Sequence, residues 1–260
     1  MSYQNLLVED LDAVRRITLN RPDKLNALDR LTLDELHAAF ADTAGSGAIR
    51  AVVLTGAGPK AFVAGADIAE MNTLTPLQAR DFSRHGQALM TRIERLGKPV
   101  VAMVNGFALG GGLELAMACH LRIAADSAKL GQPEINLGLV PGFGGTQRLL
   151  RLCGRGAALE LCLLGQPVDA ARALALRLVT AVYPAAELEA ETTRVATQLA
   201  GAAPHALRAI LDAIVAGGES SLAVGLEFET QAFALCFSTE DMREGTSAFL
   251  ARRKPDFSGR

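Results

Sequence analysis

The sequence contains no tryptophan and only two tyrosines, and aromatic residues fill just 5% of its 260 positions. With a formal charge of −2 it also lacks a surplus of either sign. It therefore carries no basic, aromatic-studded stripe of the kind that holds nucleic acid, and no general attraction to anionic lipid. Cysteine is sparse. Cys119, Cys153, Cys162 and Cys236 lack the paired spacing of a zinc site and read as free thiols in the core. The longest charge-free apolar stretch, residues 99–113, is broken by Asn105 and four glycines and is too short to span a bilayer. The opening Met-Ser-Tyr-Gln-Asn has no basic and apolar leader, which predicts a cytoplasmic protein. Walker A, HExxH and GxSxG sequences are missing, as is any short-period repeat. His37, His85, His120 and His205 are scattered without partners at ligand spacing, so no metal is expected.

What is present suits a well-packed globular chain. Half the residues are hydrophobic, enough for a sizeable core in one large domain or two small ones. Residues 6–8 and 14–19 alternate about the acidic segment Glu9-Asp10-Leu11-Asp12, which predicts a hairpin with its turn there. Residues 31–40 have helical apolar spacing, and residues 51–55 read as a short buried strand. Residues 56–67 read as a loop. Thr75, Pro76 and Gln78 form a capping-box start for a helix running to Leu96, with Gly97 as its stop. Residues 121–124 predict another strand, 131–134 a loop, and 141–149 a turn into a helix. Beyond residue 157 the pattern is mostly helical, with breaks near Gly165, Pro184, Pro204 and Gly217-Gly218. Strands first and helices later suggest one domain with a helical tail.

The chain is organised around Asn105-Gly106-Phe107-Ala108-Leu109-Gly110-Gly111-Gly112-Leu113-Glu114-Leu115. A buried strand, residues 100–104, leads into glycines that let the backbone turn tightly and approach a ligand. Residues 113–119 then continue as a helix with Glu114 in its first turn. Free N–H groups and the positive end of a helix dipole meet there, which favours negative charge. By itself Glu114 is an ordinary dipole-complementing carboxylate, and Glu134 a loop acid. Together with a second glycine turn, Ala64-Gly65-Ala66, they form a set suited to chemistry that charges a carbonyl oxygen while moving a proton at carbon. The loop Gly56-Ala57-Gly58-Pro59-Lys60-Ala61 matches a loose dinucleotide fingerprint, but neither a preceding βαβ unit nor a following helix supports it.

These residues resemble the crotonase (enoyl-CoA hydratase/isomerase) superfamily over essentially the whole chain. The resemblance rests on Leu19-Asn20-Arg21-Pro22 with Leu25-Asn26-Ala27-Leu28, on Lys60 through Ile68, and on Asn105 through Leu115. It continues in Gly131-Gln132-Pro133-Glu134, in residues 141–149, and in Thr239-Glu240-Asp241, Glu244-Gly245, Ala248-Phe249 and Arg253-Lys254-Pro255. It implies an α/β fold with a crotonase-like ββα spiral core, residues 1–200, and a helical C-terminal trimerisation region, residues 201–260, in a single structural unit. It implies homotrimers that pair into homohexamers. The implied substrate is an acyl-CoA thioester whose oxygen is held by the N–H groups of Ala66 and Gly111. Glu134 would handle the proton at Cα, and Glu114 would orient and deprotonate the water that adds at Cβ. The implied reaction is reversible syn hydration of a trans-2-enoyl-CoA to a 3-hydroxyacyl-CoA. Contacts to CoA would come from Lys24, Leu25, Ala64, Asp67, Ile68, Gly110 and Pro133, with Lys254 meeting the nucleotide phosphates. Ile68, Met71 and the helix of residues 75–96 would wall the acyl chain. No cofactor is implied, since coenzyme A is part of the substrate.

Two alternatives stand beside this. A Δ3-Δ2-enoyl-CoA isomerase would need Glu134 alone, and the retained Glu114 argues against it. A non-catalytic RNA-binding relative is disfavoured by the charge. The chain departs from the family pattern at His120, where an aspartate is common and a structural role is expected, and at Arg177, in place of a helix-ending glycine.

Overall fold

Charge pairing carries the first hairpin further than hydrophobic alternation alone predicts. The computed structural model describes residues 3–260, and the Met1 and Ser2 that open the segment read as leaderless lie outside the described residues. Strands β1 (Leu6–Leu11) and β2 (Val14–Leu19) pair antiparallel with Glu9 opposite Arg16 and Asp10 opposite Arg15. Residues 9–11 are thus strand where a turn is expected. Opposite charges facing across the ladder stabilise the extension, and Asp10 reaches Arg15 at 2.7 Å. The turn shrinks to Asp12 and Ala13, with Asp12 left-handed at φ 53°.

Helix α1 (Arg30–Gly45) starts where Asp29 accepts from the Thr32 N–H at 2.8 Å, and it buries Leu33, Leu36 and Phe40. After it the chain settles into a repeating pattern. Strands β3 (Ala51–Gly56) and β4 (Ala61–Val63) are followed by helices α2 (Ile68–Met71) and α3 (Pro76–Glu94). Strands β5 (Val100–Val104) and β6 (Phe107–Leu109) are followed by α4 (Gly111–Ala118). Strands β7 (Leu121–Ala125) and β8 (Lys129–Gly131) are followed by α5 (Gly145–Leu164). In each pair the first strand joins a six-stranded sheet of order β1-β2-β3-β5-β7-β10, and the second joins a four-stranded sheet of order β4-β6-β8-β9. The ββα unit therefore winds as a spiral, and each turn of it adds one strand to each sheet.

Of those strands, β4 lies in a segment read as a loop and β6 inside the glycine turn, while of β8 only Gly131 is assigned, as the opening of a loop. They are three residues long, too short for periodicity to register. Past residue 157 the chain also adds β9 (Val168–Asp169) and β10 (Ala181–Tyr183) around α6 (Ala170–Ala175), where a mostly helical chain with breaks is expected. The remainder is helical: α7 (Leu188–Ala200), α8 (Pro204–Gly217), α9 (Leu222–Cys236) and α10 (Glu240–Leu250). The core lies between the large sheet and α1, α3, α4 and α7, and β5 is buried along its whole length.

Both departures resolve locally. Arg177 stands at φ 61° just past α6, while its N–H bonds Leu174 and that of Leu178 bonds Ala173. This is a Schellman stop held by an arginine in the glycine position. His120 accepts from the Val100 N–H on Nδ1 at 2.9 Å and donates from Nε2 to the Glu94 carbonyl at 3.1 Å. Burial lowers its pKa, so it is a neutral clasp between α3 and β5 and needs no helix dipole. All four cysteines are free, but only Cys119 is fully buried.

Candidate active site

The small sheet explains why residues far apart in sequence meet. Strands β4, β6 and β8 run parallel as neighbours, so the segments leaving their carboxyl ends lie side by side. The first delivers Ala64 to Asp67, the second Gly110 to Glu114, and the third Gln132 to Glu134. Twenty residues separate Glu114 from Glu134 because one turn of the spiral lies between them.

Gly110 adopts φ 50° and ψ −123°, a conformation closed to other residues, and so swings the chain from β6 into α4. Its Cα also lies against the second acid, since a Cβ there would stand 2.8 Å from Glu134 Oε1. Gly111 opens α4, where the first N–H groups have no helical acceptor. On the neighbouring segment, the Leu28 N–H bonds the Gly65 carbonyl at 2.9 Å and the Asp67 N–H bonds the Leu28 carbonyl at 2.8 Å. Those two bonds staple the segment and pass over the N–H of Ala66. A Cβ built on Gly111 would stand 3.5 Å from that nitrogen. Among the described residues neither the Ala66 nor the Gly111 N–H has a hydrogen-bond acceptor.

Glu114 is 1% exposed. Its Oε1 accepts from the N–H groups of Phe143 (2.7 Å) and Gly145 (2.6 Å), so the side chain is fixed through one oxygen and Oε2 takes neither bond. Burial pushes its pKa up to about 7, the nearby Glu134 charge adds to the rise, and the two N–H bonds and Arg148 oppose it. Burial also raises Glu134, against a hydrogen bond from its own backbone N–H. With its amide nitrogen turned to the carboxylate, buried Gln132 donates to both oxygens of Glu134 at 2.9 and 3.0 Å. A Cβ on Gly145 would meet the other end of that Gln132 amide, its oxygen in this orientation, at 2.5 Å and Glu114 Cγ at 3.0 Å, which brings the surroundings of both acids to one place.

Other predicted residues divide into near and far. Asp67 caps α2 and pairs with Arg21 at 3.2 Å; burial opposes ionisation there, but the Arg21 bond and the Glu70 and Ala69 N–H groups hold its pKa below the ordinary value. The Ala64 N–H bonds the Leu25 carbonyl at 3.0 Å, which joins Lys24 and Leu25 to the same wall. Ile68 is exposed at 49%, available to a ligand, and Pro133 begins the short 3-10 turn that carries Glu134. Lys254 stands apart. The tail that carries it is fastened to Glu244, Asp241, Arg50 and His205, and no hydrogen bond joins it to the acidic pair among the described residues.

Sequence reading missed the groups that hold Glu114. Phe143 is 3% exposed and packs on Phe82 with ring centroids 5.3 Å apart, above Gly86 and beside Gly111. Arg148 is anchored to Glu94 at 2.9 Å and donates to the Phe143 carbonyl at 3.1 Å. Only the glycine-rich character of residues 141–145 signalled a close backbone approach there.

Comparison with known proteins agrees with this architecture. The family described as Enoyl-CoA hydratase/isomerase matches residues 9–260. A short-chain-enoyl-CoA hydratase of Clostridium acetobutylicum is 44% identical over 98% of this chain and 97% of its own. A crotonyl-CoA hydratase of Syntrophomonas wolfei is 43% identical over 99% of each. The crystal structure of an enoyl-CoA hydratase from Bacillus anthracis superposes with a TM-score of 0.96 at 40% identity, over 99% of this chain and all of that one. Matched in sequence and in fold from end to end, the chain belongs to the enoyl-CoA hydratase/isomerase family.

Proposed function

We propose that this protein is an enoyl-CoA hydratase, adding water reversibly and in syn fashion to a trans-2-enoyl-CoA to give a 3-hydroxyacyl-CoA. The observation that carries the reading is the convergence of two acceptor-free N–H groups and two carboxyl groups at the ends of three adjacent strands. A thioester oxygen held by the Ala66 and Gly111 N–H groups takes up charge as a nucleophile adds at Cβ. Each such preorganised donor is worth ~3 kcal/mol to a developing oxyanion. Glu114, fixed through Oε1, receives the proton of the attacking water, and Glu134 delivers a proton to Cα as the enolate collapses. Burial raises both carboxyl groups, and the Glu134 charge adds to the rise at Glu114, the direction that favours keeping a proton on the pair as this division requires. Glu114 has no work to do in a simple double-bond isomerisation, and its elaborate fixation favours hydration.

A short acyl chain is favoured by the names of the relatives above and by the Phe143 ring filling the space next to Gly111. Coenzyme A would lie along residues 24–25 and 64–68, with Lys254, set apart from the site of its own chain, reaching the phosphates of a CoA bound to a neighbouring subunit. The proposal includes assembly into homotrimers that pair as hexamers through residues 201–260. Support comes from the apolar surface there: Ile214, Leu222, Phe233 and Leu235 are each more than 60% exposed, and a cavity of ≈ 940 Å³ between α8 and α9, lined in part by Val224, Phe228 and Leu235, shares no residue with the acidic pair.

A panel of 2-enoyl- and 3-enoyl-CoA thioesters of graded length tests the reading. The expected result is loss of the conjugated enone absorbance, fastest for short 2-enoyl chains. Conversion of 3-enoyl thioesters alone would reassign the chain as an isomerase.

A further inference from the structure

We propose that Ser83, seconded by Gln87, is a positioning residue for Glu114 that acts through the single peptide group joining Gly142 to Phe143. The carbonyl of that peptide accepts from Ser83 Oγ at 2.6 Å and from Gln87 Nε2 at 3.0 Å. Its N–H donates to Glu114 Oε1 at 2.7 Å. Helix α3 thus grips one side of a peptide plane and Glu114 is held by the other. Two donors on the carbonyl polarise the amide, which makes its N–H a stronger donor to a carboxylate. They also hold the plane against rotation from the side opposite Glu114.

The second bond to Glu114 has matching support from a different source. The Gly144–Gly145 peptide donates to Glu114 at 2.6 Å while its carbonyl accepts the Gln147 and Arg148 N–H groups at the start of α5. Backbone steadies one peptide, and side chains of α3 steady the other. Only the second can be removed by substitution without breaking a helix start. Ser83 and Gln87 also touch each other, Gln87 Nε2 donating to Ser83 Oγ at 3.3 Å.

The consequence has a definite sign. Weakening the Phe143 N–H bond removes stabilisation from the ionised form of Glu114 and raises its pKa further. The other titratable groups acting on Glu114 are Glu134, Arg148 with its partner Glu94, and the Cys162 thiol. Substitution on α3 leaves all of them in place. The inference rests on the role given to Glu114 above only for its kinetic part.

Two readouts test it on the full chain. Difference infrared spectroscopy without substrate follows the protonated carboxyl band of Glu114, identified by its absence in Glu114→Gln. The double variant Ser83→Ala/Gln87→Leu is expected to raise the Glu114 midpoint by roughly half a pH unit or more. The same variant is expected to lose kcat by roughly five- to tenfold, the worth of a weakened hydrogen bond to a charged group, with KM within about twofold. Ser83→Thr keeps the hydroxyl and is expected to restore the wild-type midpoint and rate. An unchanged midpoint in the double variant, or Ser83→Thr behaving like the double variant, would overturn the proposal. Failure of the wild type to hydrate any enoyl-CoA would count against the assigned reaction and leave the infrared result standing.

Discussion

The nitrogen of Ala66 lies 3.5 Å from the point where a Cβ on Gly111 would project, although 45 positions separate the two residues in sequence. A methyl group at 111 would therefore stand against one of the two acceptor-free N–H groups while meeting the ring edge of Phe143 at 3.3 Å. Gly111→Ala is expected to fold with near-normal circular dichroism and melting temperature but to lose about 100-fold or more in kcat/KM. At the next residue the outcome reverses, because a Cβ on Gly112 would stand 2.0 Å from the Val63 carbonyl oxygen. Gly112→Ala should cost at least about 3 kcal/mol in a denaturant titration.

Glu134→Gln removes the acid assigned to Cα while leaving an amide that Gln132 can still meet. Hydration of a short enoyl-CoA should fall by roughly 10²–10⁴-fold, the usual worth of a positioned general acid. Exchange of the Cα proton of a saturated acyl-CoA in heavy water should vanish with it. Steady-state rates and proton NMR check the two together, and exchange surviving at the wild-type rate would give that proton to another group.

The buried Glu114 costs stability when it ionises. Its folded-state pKa of about 7 lies above the ordinary 4.5, so the folded protein binds this proton more tightly than the unfolded chain. Stability attributable to it is full below about pH 4.5, declines as pH rises, and is lost by about pH 7. A shift of that size corresponds to ~3 kcal/mol. Glu114→Gln should therefore be more stable than wild type at pH 8 and nearly equal to it at pH 4.5, while losing hydration. Urea titrations at the two pH values measure the difference.

Arg177 holds a left-handed conformation that glycine adopts without penalty. Arg177→Gly should raise stability by about 1 kcal/mol without changing kcat, a rise in melting temperature readable by calorimetry. A loss of stability would mean that the arginine side chain contributes more than its backbone costs.

Much of the site was legible because glycine leaves a mark in sequence. The turns at residues 64–66 and 110–112 and the acids at 114 and 134 all stand out as residue types at particular places. What periodicity could not reveal was β4, β6 and β8, each three residues long, and these are the strands that set the turns side by side. A three-residue strand is defined by its partners, which lie dozens of positions away. The hairpin turn was misplaced for a related reason, since Glu9 and Asp10 look like turn residues until Arg16 and Arg15 are placed opposite them. Ser83 and Gln87 were invisible because an exposed helix face offers many polar residues, and only the fold shows which of them reaches the Gly142 carbonyl.

The central claim is that main-chain N–H groups from two distant turns hold and polarise a thioester carbonyl. Isotope-edited infrared spectroscopy of a bound, carbonyl-labelled acyl-CoA measures that polarisation directly. The stretch should move to lower frequency on binding to the wild type and return toward its value in water in Gly111→Ala. A frequency in the wild type equal to that of the free thioester, or unaffected by Gly111→Ala, would contradict the account.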